Sequence, residues 1–146
     1  MRVKPYEFFE HTADIGLRAR GKDLSGLFIH AAEGMFAIIA ERRPASRRPG
    51  PHKKLFSLSL AARDREELLV SWLSELLSLS DIHNVIFSDY IIREITDKKI
   101  KAQSCGEMFT PETFIGKTAV KAVTYHGLKI ETAKPGSLIA EIIFDT

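Results

Sequence analysis

Two segments of the sequence carry apolar residues at the spacing of an α-helix, and the other patterned segments alternate apolar and polar residues as strands do. The first helical segment begins after Asp23, an N-cap candidate. The second begins after Asp64, and Glu67 three residues later completes a pattern that resembles a capping box. Each segment has one apolar stripe, formed by Leu24, Leu27, Phe28, Ala31, Ala32, Met35, Phe36 and Ile39 in the first and by Leu68, Leu69, Trp72, Leu73, Leu76 and Leu77 in the second. A helix with one such stripe packs its apolar face against one neighbouring layer.

The order of the patterned segments is strand, strand, helix, strand, helix and then a run of strands. This order predicts an α+β fold, a two-layer sandwich in which two amphipathic helices pack on one face of a largely antiparallel sheet. Pro135-Gly136 predicts a type II turn before the last strand. The 146 residues suit a single domain, residues 1–146. The predicted strands are 6–9, 15–20, 55–60, 85–87, 90–95, 99–105, 119–124, 127–132 and 138–144, and residues 106–116 have no assigned element.

The composition is that of a globular protein, with 45% hydrophobic and 27% charged residues. The formal net charge of +2 is too small to indicate nucleic-acid binding through the overall field. Cys105 is the single cysteine, which excludes an internal disulfide framework and a thiolate zinc cluster within one chain. No stretch has the length of a membrane span or of a signal-peptide apolar run. We therefore expect a cytoplasmic protein that does not associate with membranes.

Residues 41–54 change in composition. Prolines and a glycine prevent regular structure there, and six basic residues concentrate positive charge: Arg42, Arg43, Arg47, Arg48, Lys53 and Lys54. Two interpretations remain open. The segment contacts RNA phosphates or an acidic partner surface, or it is a solvated loop, which the lack of interleaved aromatic residues for base stacking favours.

The end of the chain is a candidate metal site. Three apolar residues, 142–144, run directly into Asp145 and the terminal carboxylate of Thr146, which predicts that the terminus is held in a sheet. Asp14 lies between the first two predicted strands. If these groups meet, they provide three oxygen donors that suit a hard cation such as Ca²⁺, Mg²⁺ or Mn²⁺. The alternative is that Asp14 bonds its own backbone in a turn and Asp145 is solvated.

Other catalytic signals are weak. The sequence has no nucleophile elbow, P-loop or GxGxxG motif, and no motif surrounds Cys105. His11 and His126 each lie beside a hydroxyl-bearing residue, Thr12 and Tyr125 respectively, which allows a hydrogen-bonded cluster beneath the acidic site. Structural histidines with satisfied hydrogen bonds are the alternative.

Over nearly its whole length the sequence resembles the archease family. The resemblance depends on four segments in this order: residues 11–16 (HTADIG), 66–73 (EELLVSWL), 121–126 (KAVTYH) and 143–146 (IFDT). It implies a small, chaperone-like accessory protein of tRNA splicing that activates an RtcB-type tRNA ligase by promoting guanylylation of the ligase's active-site histidine. It also implies a calcium site at Asp14, Asp145 and Thr146.

The sequence departs from the family pattern in two places. Residues 42–54 match no family motif, and Thr146 occupies a position that the family often fills with an aliphatic residue. Both departures leave the metal donors intact, because the last donor is a backbone carboxylate.

Two other functions are retained. One is a small metal-dependent hydrolase in which the cation activates water and His11 or His126 is the general base, although the sequence identifies no substrate pocket. The other is an RNA-binding module that uses the basic segment to modulate a tRNA methyltransferase, a role proposed for some members of the family that the sequence resembles. A salt titration of RNA binding distinguishes the latter, because several phosphate contacts imply a steep slope.

Overall fold

The computed structural model describes residues 4–11, 14–44 and 53–146. These ranges contain ten strands and two helices. The helices are α1 (Leu24–Ile39) and α2 (Arg65–His83). The strands are β1 (Tyr6–His11), β2 (Asp14–Gly21), β3 (Ala40–Arg42), β4 (Lys53–Ala61), β5 (Val85–Ile95), β6 (Lys99–Met108), β7 (Phe114–Gly116), β8 (Ala122–Thr124), β9 (Ile130–Lys134) and β10 (Ser137–Asp145).

The strands form antiparallel sheets. The larger sheet has the order β1-β2-β10, and the second edge of β10 pairs with β8 near its C-terminal end and with β9 near its N-terminal end. A three-stranded sheet has the order β4-β6-β5, and β3 pairs with β7. The predicted α+β fold, with two helices and mostly antiparallel strands, is confirmed.

Both helices begin as the sequence predicts. The Asp23 carboxylate accepts a hydrogen bond from the backbone N–H of Gly26 at 2.8 Å, and the Asp64 carboxylate accepts one from that of Glu67 at 2.8 Å. α2 ends at Asn84, which adopts the left-handed conformation with φ of 55°. These side chains satisfy backbone groups that a helix end otherwise leaves without partners.

The core lies between the helices and the inner faces of the sheets. α1 packs on β2 and β5, and α2 packs on β5 and β8. The fully buried Trp72 on α2 donates a hydrogen bond from its indole N–H to the carbonyl of Phe28 on α1, at 3.0 Å. This bond satisfies a polar group in the core and joins the two helices.

Several element boundaries differ from the predictions. β6 continues to Met108, and part of the unassigned segment 106–116 forms β7. The two runs predicted at 85–87 and 90–95 are one strand, interrupted by an irregularity between Phe87 and Asp89. β8 is shorter than predicted, since residues 119–121 lie outside it, and β9 begins three residues later and ends two residues later than predicted.

The predicted type II turn agrees with the structure, whereas the basic segment differs from its prediction. Gly136 has φ of +80°, as the third position of a type II turn requires. The expectation that residues 41–54 lack regular structure is wrong at both ends of the segment, because Glu41 and Arg42 belong to β3 and Lys53 and Lys54 belong to β4. Residues 45–52 lie outside the described ranges. Neither α1 nor α2 is long and apolar enough to cross a membrane.

Candidate metal centre

Asp14 and Asp145 lie at the same end of two neighbouring strands. β2 begins with Asp14, β10 ends with Asp145, and the two strands pair in antiparallel register through Phe144 and Ile15. Continuing this register by one residue places Asp145 beside Asp14. The pairing of the N-terminal hairpin with the C-terminal strand therefore creates the acidic edge of the sheet, defined here by Asp14, Asp145 and Thr146.

Strand alternation also places the two aspartates on one face. The neighbouring residues Ile15 and Phe144 point toward the helices, and Phe144 is fully buried. Asp14 and Asp145 therefore belong to the opposite, outer face of the sheet. Residues opposite each other on neighbouring strands have Cβ atoms about 5 Å apart, a spacing that is compatible with one shared cation.

The chain end is anchored on its other side. The backbone N–H of Lys121 donates to the carbonyl of Asp145 at 2.7 Å, and Ala122 pairs with Asp145. Thr146, the last residue of the sequence, is half-buried. The expectation that the sheet holds the C-terminus is confirmed.

The donor set suits a hard cation. Asp14 is half-buried and Asp145 is exposed, so water and a partner molecule can reach the edge. Two neighbouring carboxylates and a terminal carboxylate repel one another unless protons or a cation offset their charge. No group of three or more His, Cys, Asp or Glu side chains that could hold a metal ion occurs in the described part of the chain. The set predicted from the sequence has two such side chains, and its third member is Thr146.

A groove lies beside the acidic edge. It has a volume of about 330 Å³, and its lining includes Asp14, Phe8, Phe9, Ile38 and Lys117. Phe8 is 48% exposed, a large fraction for an aromatic side chain in a strand. An apolar groove with a carboxylate at its border offers both packing and electrostatic contact to another molecule.

Four residues were candidates for supporting the metal site: His11, Thr12, Tyr125 and His126. Thr12 and the side chain of His11 lie outside the description, although the backbone of His11 pairs with Asp14. Tyr125 and His126 follow β8, which runs antiparallel to β10 and therefore leads away from Asp145. Tyr125 is three residues beyond Ala122, or roughly 10 Å along a strand. The structure therefore does not bring Tyr125 and His126 to the acidic edge.

Tyr125 instead belongs to the surroundings of the first turn of α2. Its pKa is raised by partial burial and by the charge of Glu67. The guanidinium group of Arg63 donates to the Glu67 carboxylate at 2.8 Å. Tyr125 therefore lies near the start of α2 and not at the acidic edge.

Sequence reasoning missed the charged network that crosses the outer face. Arg18 on β2 donates to Glu7 on β1 at 2.9 Å and to Glu141 on β10 at 2.7 Å, and Arg20 donates to Glu7 at 3.2 Å. Hydrogen bonds from Arg18 and then Arg20 lower the pKa of Glu7. The network joins β1 to β2 and β10, the two strands that carry Asp14 and Asp145. These charged residues alternate with apolar ones along each strand, as expected. Which of them pair depends on the register between strands that are far apart in the sequence.

Comparisons with known proteins point to one family over nearly the whole chain. The sequence model of the Archease protein family (MTH1598/TM1083) matches residues 6–146. The archease of Thermococcus kodakarensis is 36% identical, with 98% of this chain and 99% of that protein covered. The archease of Methanosarcina mazei is 37% identical, with 97% and 96% covered.

Solved structures show the same fold. The solution structure of protein 1598 of Methanobacterium thermoautotrophicum has a TM-score of 0.73 and 29% identity, with 99% of this chain and 100% of that chain covered. The crystal structure of a Thermotoga maritima protein described as an archease and possible chaperone has a TM-score of 0.64 and 19% identity, with 100% and 98% covered. At the latter identity, the likeness concerns the fold.

Proposed function

Since this chain belongs to the archease family, we propose that it is an accessory protein of tRNA splicing that activates an RtcB-type tRNA ligase. It promotes guanylylation of the ligase's active-site histidine and has no turnover of its own. The observation that carries the proposal is the adjacency of Asp14 and Asp145 at an accessible edge beside the chain terminus.

The acidic edge is proposed to hold Ca²⁺ or another hard divalent cation. The donors are the carboxylates of Asp14 and Asp145 and the terminal carboxylate of Thr146. A cation bound there supplies positive charge and coordination positions for oxygen ligands of a partner. The network of Arg18, Glu7 and Glu141 links the donor strands across the outer face.

The site is proposed to act on the ligase by direct docking. The carboxylates lie at the end of a sheet and at the border of a groove, where another molecule can reach them. The groove with Phe8 lies beside them and provides apolar packing for the ligase. The carboxylates then influence how metal ions and nucleotide are arranged in the ligase.

The hydrolase alternative has less support. It requires a general base within hydrogen-bond reach of the activated water. His126 follows the end of β8 that leads away from Asp145, and the side chain of His11, the other candidate, lies outside the description. The RNA-binding alternative depends on the basic segment, and residues 45–52 lie outside the description. The acidic edge therefore supports activation of a partner better than either alternative.

The test measures guanylylated ligase against time, with purified RtcB-type ligase, GTP and this protein. The variants are Asp14→Asn, Asp145→Asn and Asp97→Asn, the last being a control that removes the same charge from an exposed turn between β5 and β6. We expect each of the first two variants to lower the rate of guanylylation roughly tenfold or more, because each removes a charged ligand. The control is expected to activate like the wild type.

Two results would contradict the proposal. One is full activation by both the Asp14 and the Asp145 variants. The other is metal-dependent turnover of nucleotide or RNA by this protein in the absence of ligase.

A further inference from the structure

A second site candidate lies at the opposite end of the same sheet. β2 ends at Gly21, which pairs with Leu138 near the start of β10. A cleft of about 760 Å³ opens there. Asp14 is seven residues from Gly21, so the cleft is roughly 23 Å from the acidic edge.

The cleft gathers positive charge from distant parts of the chain. Its lining includes Lys4 before β1, Arg20 on β2, Lys22 after β2 and Lys134 at the end of β9. No carboxylate among the described residues lines it. Because the net charge of the whole chain is only +2, this concentration is a local property of the cleft.

Most of this charge has no internal counterion. Arg20 is paired with Glu7 at 3.2 Å. For Lys4, Lys22 and Lys134, the described residues form no ion pair. A concave surface lined by charges of one sign focuses the field and attracts counterions of the opposite sign.

The remaining walls add hydrogen-bond donors and apolar surface. The Nδ1 atom of His30 lies 2.5 Å from the carbonyl oxygen of Arg20. Since a carbonyl only accepts, Nδ1 carries the hydrogen, and this bond orients the ring in the lining. Ser137 contributes a hydroxyl, and Pro5 and Leu138 contribute apolar surface.

We propose that this cleft binds a phosphate-bearing ligand of nucleotide size. Its lysines contact the phosphoryl oxygens, and the apolar wall contacts the rest of the ligand. The volume lies within the range of about 300–1,000 Å³ that is usual for small-molecule sites. The phosphate belongs either to a free nucleotide or to the end of an RNA strand, because both present the same oxygens. The proposal is independent of the acidic edge and of the ligase.

The test uses isothermal titration calorimetry on the full chain at low ionic strength. The probes are GDP, a 5′-phosphorylated RNA trinucleotide and inorganic phosphate. The double variant Lys22→Ser with Lys134→Ser removes two lining charges. The control, Lys98→Ser with Lys129→Ser, removes the same charge from exposed positions outside the lining.

We expect the lining variant to weaken binding of the preferred probe roughly tenfold or more per lysine, because each lysine removed is a charged hydrogen-bond donor to the phosphate. The control variant is expected to bind like the wild type. Tighter binding of GDP or of the trinucleotide identifies the source of the phosphate. In NMR titrations the backbone amide signals of Gly21, His30 and Ser137 should shift.

Three results would overturn the proposal. The first is that neither GDP nor the trinucleotide binds more tightly than inorganic phosphate. The second is an equal loss of affinity in both double variants, because net charge alone would then explain the binding. The third is that the shifted amide signals lie away from the cleft.

Discussion

The ring of Phe9 on β1 lies directly over Gly16 on β2, and the two residues face each other in the strand pairing. A Cβ atom on residue 16 would be 2.3 Å from the ring, far inside contact distance. The guanidinium group of Arg18 lies 5.3 Å from the centre of the same ring. Glycine at position 16 therefore allows β1 to pack closely on β2, one residue pair from Ile15 and two from Asp14.

We expect Gly16→Ala to lower the free energy of unfolding by about 1–3 kcal/mol, because the Phe9 ring must leave its position. Asp14 lies two residues from Gly16 on the same strand, so we expect calcium affinity to fall as well. Urea unfolding and a calcium titration measure the two effects.

Gly116→Ala is the matched control, since its added Cβ atom would be 3.7 Å from Phe109, an ordinary contact. Equal stability and equal calcium affinity of the two variants would show that the packing of Phe9 on Gly16 does not position the site.

The elements that the sequence predicts well are those whose signals come from residues close together in the chain. The helices have long stripes with a clear period, and Asp23 and Asp64 mark their starts by interactions within one turn. Strands of three residues, such as Phe114–Gly116, are too short to show a period, and β7 was therefore missed. Their pairing depends on contacts between distant segments, which local patterns do not contain.

The acidic edge and the basic cleft differ in how far local sequence patterns predict them. Carboxylates at the ends of strand-like runs suggested the acidic edge, and the register of β2 with β10 then brought Asp14 beside Asp145. The basic cleft has no comparable signal. Lys4, Lys22 and Lys134 are separated by long stretches of sequence and lie next to different strands. Only the folded sheet brings them together.

The second prediction concerns stability at high pH. Burial raises the pKa of the Tyr90 phenol well above its ordinary value of 10.0, and the charges of Glu33 and Asp89 raise it further. The hydroxyl also donates to the carbonyl of Phe87 at 3.3 Å, a bond that is lost on ionisation. In the unfolded chain the phenol releases its proton near pH 10, whereas the folded chain retains it.

The free energy of unfolding should therefore be unaffected by this group below about pH 10 and should fall as the pH rises above it. Tyr90→Phe should show a smaller fall than the wild type, and the remaining part is assigned to Tyr6 and Tyr125, whose pKa values are also raised. Urea unfolding at a series of pH values measures this. Parallel curves for the variant and the wild type would refute the assignment to Tyr90.

The third prediction separates docking from cation binding. Phe8 is 48% exposed in the groove beside Asp14, and truncating it removes apolar surface without removing a carboxylate. Phe8→Ala should therefore weaken binding to the ligase by about 1–2 kcal/mol and leave calcium affinity unchanged. Calorimetry measures both affinities.

Ile91→Ala provides the control, because Ile91 is 50% exposed on the separate three-stranded sheet. If Phe8→Ala binds the ligase as tightly as Ile91→Ala does, the groove is not part of the interface. A loss of calcium binding in Phe8→Ala would show that the variant disturbs the metal centre and that the two functions are not separable.

The last prediction concerns the chain end. β10 carries the chain directly into Thr146, and the Asp145 carbonyl accepts a hydrogen bond from the N–H of Lys121 at 2.7 Å, so the residue before Thr146 is fixed at the edge. Adding one glycine after Thr146 converts that carboxylate into an amide and moves the charge outward by one residue. Calcium affinity should fall roughly tenfold or more, because a neutral carbonyl replaces a charged donor. Thr146→Ile retains the terminal carboxylate and should bind calcium like the wild type. The third donor is not the terminal carboxylate if the extended chain retains full affinity, and it is the threonine hydroxyl if Thr146→Ile alone loses it.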